Sequence, residues 1–326
     1  MSRTWLLLTF IGLCVTHSST CRAGDETELR ETGLKKWSAL DEAVKHLDTT
    51  FTLNESYIAG KPTIPIKYKL LVDDQSVLQQ HRSPRKFDTP SLGEIERVLG
   101  RTPDYVYLLE RKVGDKDYRL GNLGQDSPDF SKQLYMTRKA RLISISIEGR
   151  SIIEWLGDSR FVVQSLSRVQ QEGRNMIKLD ARFTPEGEDS RTHHPALTAW
   201  FDEGEAWALR KYEAKAWYGT ITATVDYGPP AGGAPRPLRL TEIRTYNEDR
   251  KLPKATSSIE FETWNPRTIE PEEFLISQFG LPEPQSVTPA PAKRSRLWVW
   301  LIAGAVVIGG VGITLVRRGR RVASIG

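Results

Sequence analysis

Cysteine is nearly absent from this chain: there are two in 326 residues, Cys14 and Cys21, both close to the N-terminus. Beyond them no disulfide framework is available, so a small stapled fold is excluded and stability has to come from a buried core. Lipid attachment at Cys21 is disfavoured too, because Ser18-Ser19-Thr20 lacks the leucine expected three places before such a cysteine. Histidine is equally sparse, with only His46, His81, His193 and His194 after His17. HExxH spacing, a GxSxG elbow, a Walker loop and a GxGxxG turn are all missing, which removes the usual signatures of a zinc protease, an α/β-hydrolase and a nucleotide cradle. The adjacent pair in SRTHHPAL points two ways and reads as loop residues, not metal ligands. Glycine-rich GPPAGGAP reads as a loop whose prolines remove the N–H groups that a phosphate cradle needs. Asp202, Glu203 and Glu205 fall in a hairpin turn, where charge keeps a loop soluble. No catalytic residue, metal ligand or cofactor is assigned.

Acidic residues are missing from both ends, since none precedes Asp25 or follows Glu283. The first end has Arg3, an apolar run from Trp5 to Val15 and then THSSTCRAG, the order of an export signal that is too short to span a bilayer. Cleavage after Ser18 or after Ala23 both fit, and residues 1–23 are assigned as the signal peptide. The other end has no charge from Leu297 to Val316, 20 residues. At 1.5 Å per helical residue that matches a hydrocarbon core of about 30 Å, so Leu297 to Val316 is expected to be a transmembrane helix. Exported first and stopped there, the chain leaves Arg317, Arg318, Arg320 and Arg321 in a cytoplasmic tail, 317–326, and its body on the periplasmic or extracytoplasmic side. Lys293, Arg294 and Arg296 on the outer flank narrow that bias, so the leader carries most of the orientation. Ala305 and Gly309 give a small-xxx-small spacing that makes a homodimer through this helix an expectation.

The whole chain has 46 Lys+Arg against 41 Asp+Glu, a pI near 9.1. Setting aside Arg3, Arg22 and the seven basic residues around the tail helix leaves 37 basic residues against all 41 acidic ones, so the body is near −4. The basic pI therefore reflects topology, and nucleic acid is excluded as a partner.

The exported body, 24–284, is joined to the helix by a Pro-, Ser- and Ala-rich stalk, 285–296. Trp37, Leu40, Val44 and Leu47 recur at helical spacing and predict an amphipathic helix from Lys35 to Leu47. IPIKYKLLV alternates as a half-buried strand does, its proline suiting an edge or a strand start. SLGEIERVL reads as a weak helix. YVYLLERKVGDKDYRL, FVVQSLSRVQQEGRNMIKLDARF and LTAWFDEGEAWALRKYEAKAWYG read as hairpins, the second turning at Glu172-Gly173 and the third at Asp202 to Gly204. TATVDYGPPAGGAPRPLRLTEIRTY gives two strands about the Pro/Gly loop, and SSIEFETW a last strand with Ile259 and Phe261 on one face. With a further helix expected from Arg150 to Leu156, the fold class is α+β: a curved antiparallel β-sheet (half-barrel) with helices packed on its concave face, plus one C-terminal transmembrane helix.

This order of helix, long meander, SIIEWLGD segment (Ser151 to Asp158) and LTAWFDEGEAWALRKYE hairpin, over Leu34 to Pro266, resembles the half-open barrels of LolA-type lipoprotein carriers and of RseB-like periplasmic regulators. PEEFLISQFGLPEP, from Pro271 to Pro284, is similar to the closing phrase of uncharacterised exported bacterial proteins with a C-terminal membrane helix. The resemblance implies a membrane-tethered envelope protein that binds an apolar ligand (a lipid or an acylated peptide) or a protein partner, without catalysis. Trp200, Trp207, Tyr212, Trp217 and Tyr218, dense in one pair of strands, are the candidate pocket residues, although the same aromatics would serve to fill a core. The alternatives are a structural or adhesion protein with a filled core and, third, a membrane-anchored hydrolase.

Overall fold

A computed structural model describes residues 23–55, 64–84, 93–184, 196–248 and 252–284. The chain divides into Met1–Glu283 and Pro284–Gly326, and the account below concerns the first. The expected signal peptide (1–23, all but its last residue), stalk, Leu297–Val316 helix, its dimer face and the cytoplasmic tail lie outside the described residues. Among those described, no helix is long and apolar enough to cross a membrane.

The strands are β1 (Leu47–Glu55), β2 (Ile64–Val72), β3 (Val77–Pro84), β4 (Glu94–Arg101), β5 (Val106–Lys112) and β6 (Arg119–Gly124), then β7 (Ser146–Ile147) and β8 (Arg150–Ser151). They continue as β9 (Phe161–Gln171), β10 (Arg174–Phe183), β11 (Ala196–Asp202), β12 (Ala208–Ala216), β13 (Gly219–Ala231), β14 (Ala234–Tyr246) and β15 (Ala255–Pro266). The helices are α1 (Ala23–Ala43), α2 (Pro128–Gln133), α3 (Tyr135–Arg141) and α4 (Ile152–Leu156). Thirteen strands form one antiparallel sheet in the order β6-β5-β4-β3-β2-β1-β15-β14-β13-β12-β11-β10-β9. The chain lays down β1 to β6 outward, crosses from one edge to the other, and returns inward until β15 pairs with β1. β6 and β9 do not pair, so the sheet is open. The crossing, 125–160, carries α2, α3, the β7–β8 hairpin and α4.

These helices share one face of the sheet. Thr137 of α3 donates to Gln79 of β3 (2.8 Å) and Lys139 reaches Glu242 of β14 (2.8 Å), while Trp37 of α1 meets Phe201 of β11 at 4.9 Å. α1 begins and ends earlier than its apolar spacing predicted: it runs from Ala23 and stops at Ala43, and Leu47 opens β1. Its buried stripe is Leu29, Gly33, Trp37 and Leu40. Gly33 is needed for close approach, because a Cβ there would stand 2.9 Å from the Trp37 ring and 3.0 Å from Trp207. The short helix α4 is held by a capping box, with Ser151 accepting from the Glu154 N–H and the Glu154 carboxylate accepting from the Ser151 N–H.

Two further expectations are corrected. SLGEIERVL contains no helix among its described residues: β4 runs through it. Val98 and Leu99 are both buried, one on each face, so the alternation that marks a half-exposed strand is erased. GPPAGGAP is no long loop either. β13 and β14 continue into it and turn only at Gly232-Gly233, both with positive φ (+57° and +80°), while register shifts near Tyr227 and Gly228 accommodate the prolines.

What covers the second face of β4 is the PEEFLISQFGLPEP phrase. Its two 3₁₀ turns, Pro271–Phe274 and Ile276–Phe279, form a strap over β4 and β5. Tyr107 donates to the Phe274 carbonyl at 2.7 Å, its ring lies 6.4 Å from Phe279, and Tyr105 bonds Glu283. Gly100 makes room for the Tyr107 ring, which a Cβ would approach to 2.0 Å. Replacing Tyr107 with phenylalanine keeps the packing and leaves that carbonyl short of a buried donor. The expected cost is about 1 kcal/mol, with faster amide exchange confined to residues 274–280. Uniform exchange across the sheet would show that the strap is not held there.

Candidate functional site

The sequence places Leu240, Glu242 and Arg244 at alternate positions of β14, so all three face the helices. Glu242 is 1 % exposed, which an ionised carboxylate tolerates only with partners. Two of them are cations: Lys139 of α3 at 2.8 Å on Oε2, and Arg244, whose Nη2 and Nε lie 2.6 and 3.0 Å from Oε1. Burial opposes ionisation of Glu242, but the charges of Lys139 and then Arg244 outweigh it and hold this carboxyl below the usual range. The same pairing raises Lys139 and Arg244 against the opposing effect of their burial.

Above this pair lies the turn of the β7–β8 hairpin. Its Glu148 sits at φ +54° beside Gly149 at +74°. The Tyr212 hydroxyl stands 3.2 Å from Glu148 Oε1 and 3.3 Å from Glu242 Oε2. Burial first, and then the charge of Glu242, push Glu148 upward, and burial raises Tyr212 well above the ordinary phenol value. Burial and the Glu148 charge likewise push Tyr218 up to about 12.

Two openings flank the cluster. A groove of about 690 Å³ is lined by Tyr135, Arg138, Glu148 and Gly149 together with Arg150, Glu154, Gly157 and Asp158. A smaller cavity of about 90 Å³ is lined by Glu55, Glu242, Arg244 and Tyr246, with Ala255, Thr256 and Ser257. The groove's charges are matched in place: Arg138 meets Glu154, Arg150 and Arg160 meet Asp158 at 3.1 and 2.8 Å, and the Arg150 guanidinium stacks 4.4 Å over Trp155.

The five aromatic residues singled out in the sequence do not line one pocket. Tyr212 is at the centre of the cluster. Trp217, 45 % exposed in the β12–β13 turn, packs edge-on against half-buried Tyr218 (5.7 Å), which meets Tyr246 at 6.0 Å on the rim of the small cavity. Trp207 is buried elsewhere, against Trp37, whose indole donates to its carbonyl at 3.2 Å. Trp200 alternates with buried Ala199 and Phe201 and so stands on the opposite face, under Lys211 at 5.0 Å.

Asp202 is not a solvated turn residue as its sequence context suggested. It is 4 % exposed, caps the Gly204 N–H, and pairs with Arg174 (2.8 Å) and Arg210 (3.3 Å). Arg210 also holds Glu205, and Arg168 holds Glu203 at 3.1 Å, so these carboxylates brace the turn. His193 and His194 lie outside the described residues. Among the described residues no group of three or more His, Cys, Asp or Glu is placed to hold a metal ion.

No protein-family model and no curated protein matches the sequence. Solved structures similar to this chain include a LolA superfamily protein from Nitrosomonas europaea, at 9% identity over 76% of this chain and 98% of that one (TM-score 0.41). A domain described as outer membrane lipoprotein-sorting, from Vibrio parahaemolyticus, is 12% identical over 80% and 100% (TM-score 0.42). A DUF1329 family protein from Desulfovibrio piger is 9% identical over 76% and 98% (TM-score 0.41). At such identities no residue role passes from them to this chain.

Proposed function

We propose that this chain is a non-catalytic binding or sensing protein of the cell envelope, exported by residues 1–23 and tethered through Leu297 to Val316. We read the open sheet as a half-barrel curled about α3. Thr137 and Lys139, two residues apart, bond to β3 and β14, strands four steps apart and therefore about 19 Å apart in a flat sheet.

One observation favours a protein partner over an apolar ligand. The groove of about 690 Å³ is lined by five charged side chains and a tyrosine, whereas Trp37, Phe201, Trp207 and Phe51 pack the apolar inner face. A site for a bare hydrocarbon chain would carry few charged residues in its lining. The reading best supported is therefore a protein partner, taken as a segment laid in the groove against Tyr135 and the paired charges of Arg138, Glu154, Arg150 and Asp158. The strand register puts the Trp217 turn at the end of the sheet opposite Tyr105, where Glu283 is bound and the chain leaves the body.

A photo-crosslinking residue at Tyr135, 43 % exposed in the groove, is expected to give one discrete adduct in the native envelope, and the same residue at Leu252, 52 % exposed elsewhere, none. Native mass spectrometry of the extracted chain is expected to show no stoichiometric lipid. A bound lipid would restore the apolar-ligand reading. Neither adduct nor lipid would favour the filled-core structural protein, which the dense packing of the inner face also suits.

A further inference from the structure

We infer that the inner end of the groove takes a ligand carboxylate in the place now filled by Glu148, whose side chain is a displaceable stand-in for the acid group of the ligand. This rests on the groove being the binding site. The first support is the hairpin turn. A two-residue turn with both φ angles positive suits Asn-Gly or Gly-Gly, and a glutamate at φ +54° is strained by its Cβ. The exposed Glu172-Gly173 turn has the same geometry (+53° and +75°), so the turn alone does not single Glu148 out; what does is that its carboxyl is turned onto the Tyr212 hydroxyl.

The second support is how weakly that carboxyl is held. Glu242 has a lysine and an arginine of its own. Glu148 has the Tyr212 hydroxyl, which carries a single proton and is within reach of both carboxylates, so it donates to one of them at a time. Two buried or half-buried cations thus stand behind one firmly ionised carboxylate, and the second is the least secured member of the cluster.

The third support is position. Glu148 lines the large groove, while Glu242 and Arg244 line the small cavity. Glu148 thus borders the groove on one side and, through the Tyr212 hydroxyl, reaches the carboxylate that Lys139 and Arg244 hold. If it swings out, a ligand acid group meets the Tyr212 hydroxyl with Lys139 and Arg244 behind it, and Tyr135 of the groove is left for the body of the ligand. The acid group of a peptide, either its C-terminus or an Asp or Glu side chain, has this chemistry.

The test is calorimetric titration of the full chain with 4-phenylbutyrate and with its neutral amide. The acid is expected to bind at least tenfold more tightly than the amide. Glu148→Gln, which removes the competing charge, should tighten the acid roughly tenfold and leave the amide unchanged. Glu148→Gly, which also relieves the turn, should do the same, so misfolding of one variant does not decide the matter. Arg244→Gln should abolish the preference for the acid. Equal binding of acid and amide by the unmodified chain and by both Glu148 variants, or binding of neither, overturns the inference. If the Tyr135 adduct survives that result, the groove remains the partner site without a carboxylate pocket; if the adduct is lost too, both readings fall.

Discussion

Lys139→Met is expected to lower the stability of the folded body by about 3–5 kcal/mol, the usual cost of stranding one member of a buried ion pair. The Lys139 side chain is 10 % exposed and that of Glu242 1 %, so water cannot replace the lost ammonium. Arg244 remains on the other carboxylate oxygen, which places the expected loss nearer the lower figure. The double variant Lys139→Met/Glu242→Leu should recover at least half of it, because the desolvation cost disappears with the carboxylate. The pH dependence follows from the depressed carboxyl. Stability supplied by Glu242 is fully present above the unfolded carboxylate value, about 4.3, and is lost as pH falls through the lower folded value. Lys139→Met should therefore lose part of the acid-induced drop that the unmodified chain shows. Urea unfolding followed by tryptophan fluorescence reads both effects, and a single-variant loss under about 1 kcal/mol would mean that the pair is solvated.

The meander was legible because most strands have one covered and one open face. β9, β10, β12 and β15 alternate, and turns such as Glu172-Gly173, both at positive φ, announce themselves in sequence. Where a second layer intervenes the signal fails. β4 lies under the strap, so Ile95, Val98 and Leu99 are all buried and their spacing imitates a helix. The first half of α1 was invisible for a different reason. Its buried stripe there consists of Leu29 and Gly33, and a glycine chosen for ring-to-backbone contact carries no apolar signal.

The site was less legible than the fold. Counting aromatics gathered Trp200 with Trp207, although strand alternation alone separates Trp200 from its buried neighbours Ala199 and Phe201. The polar cluster did leave a trace: in LRLTEIRTY, Glu242 and Arg244 occupy the same alternate positions as buried Leu240, which marks a charge pointing inward. Lys139 sits in α3 between buried Thr137 and Ala140. What no pattern supplied is the partner across the sheet, since Lys139 and Glu242 are 103 residues apart and are joined only by the crossing of 125–160 over the inner face. Glu148 is legible only in three dimensions, because nothing local distinguishes SIEGRS from any other tight hairpin.

A second, half-buried group should govern how the body responds to acid. His81 of β3 stacks 5.1 Å from Tyr68, and its Nδ1 is buried without a hydrogen-bond partner. Burial, and then the Arg97 charge opposite it in β4, lower its pKa from 6.5 to about 4. Arg97 is itself engaged by Glu110 at 2.6 Å and is not free to turn away. The folded protein therefore keeps this imidazole neutral where the unfolded chain already binds a proton. Above pH 6.5 neither state is protonated and nothing is lost. Between 6.5 and about 4 the unfolded state gains the proton, and stability falls by about 3 kcal/mol in all; below that both states carry it and the slope ends. His81→Phe keeps a ring beside Tyr68 and removes the titrating group. At pH 7 it should be nearly neutral, since Nδ1 has no partner to lose, and by pH 4 it should be more stable than the unmodified chain by about 3 kcal/mol. Urea midpoints at pH 7, 5.5 and 4 measure this directly. Parallel curves for the two proteins would mean that His81 takes up its proton in place, with water or a neighbouring carboxylate reaching the ring from above the sheet.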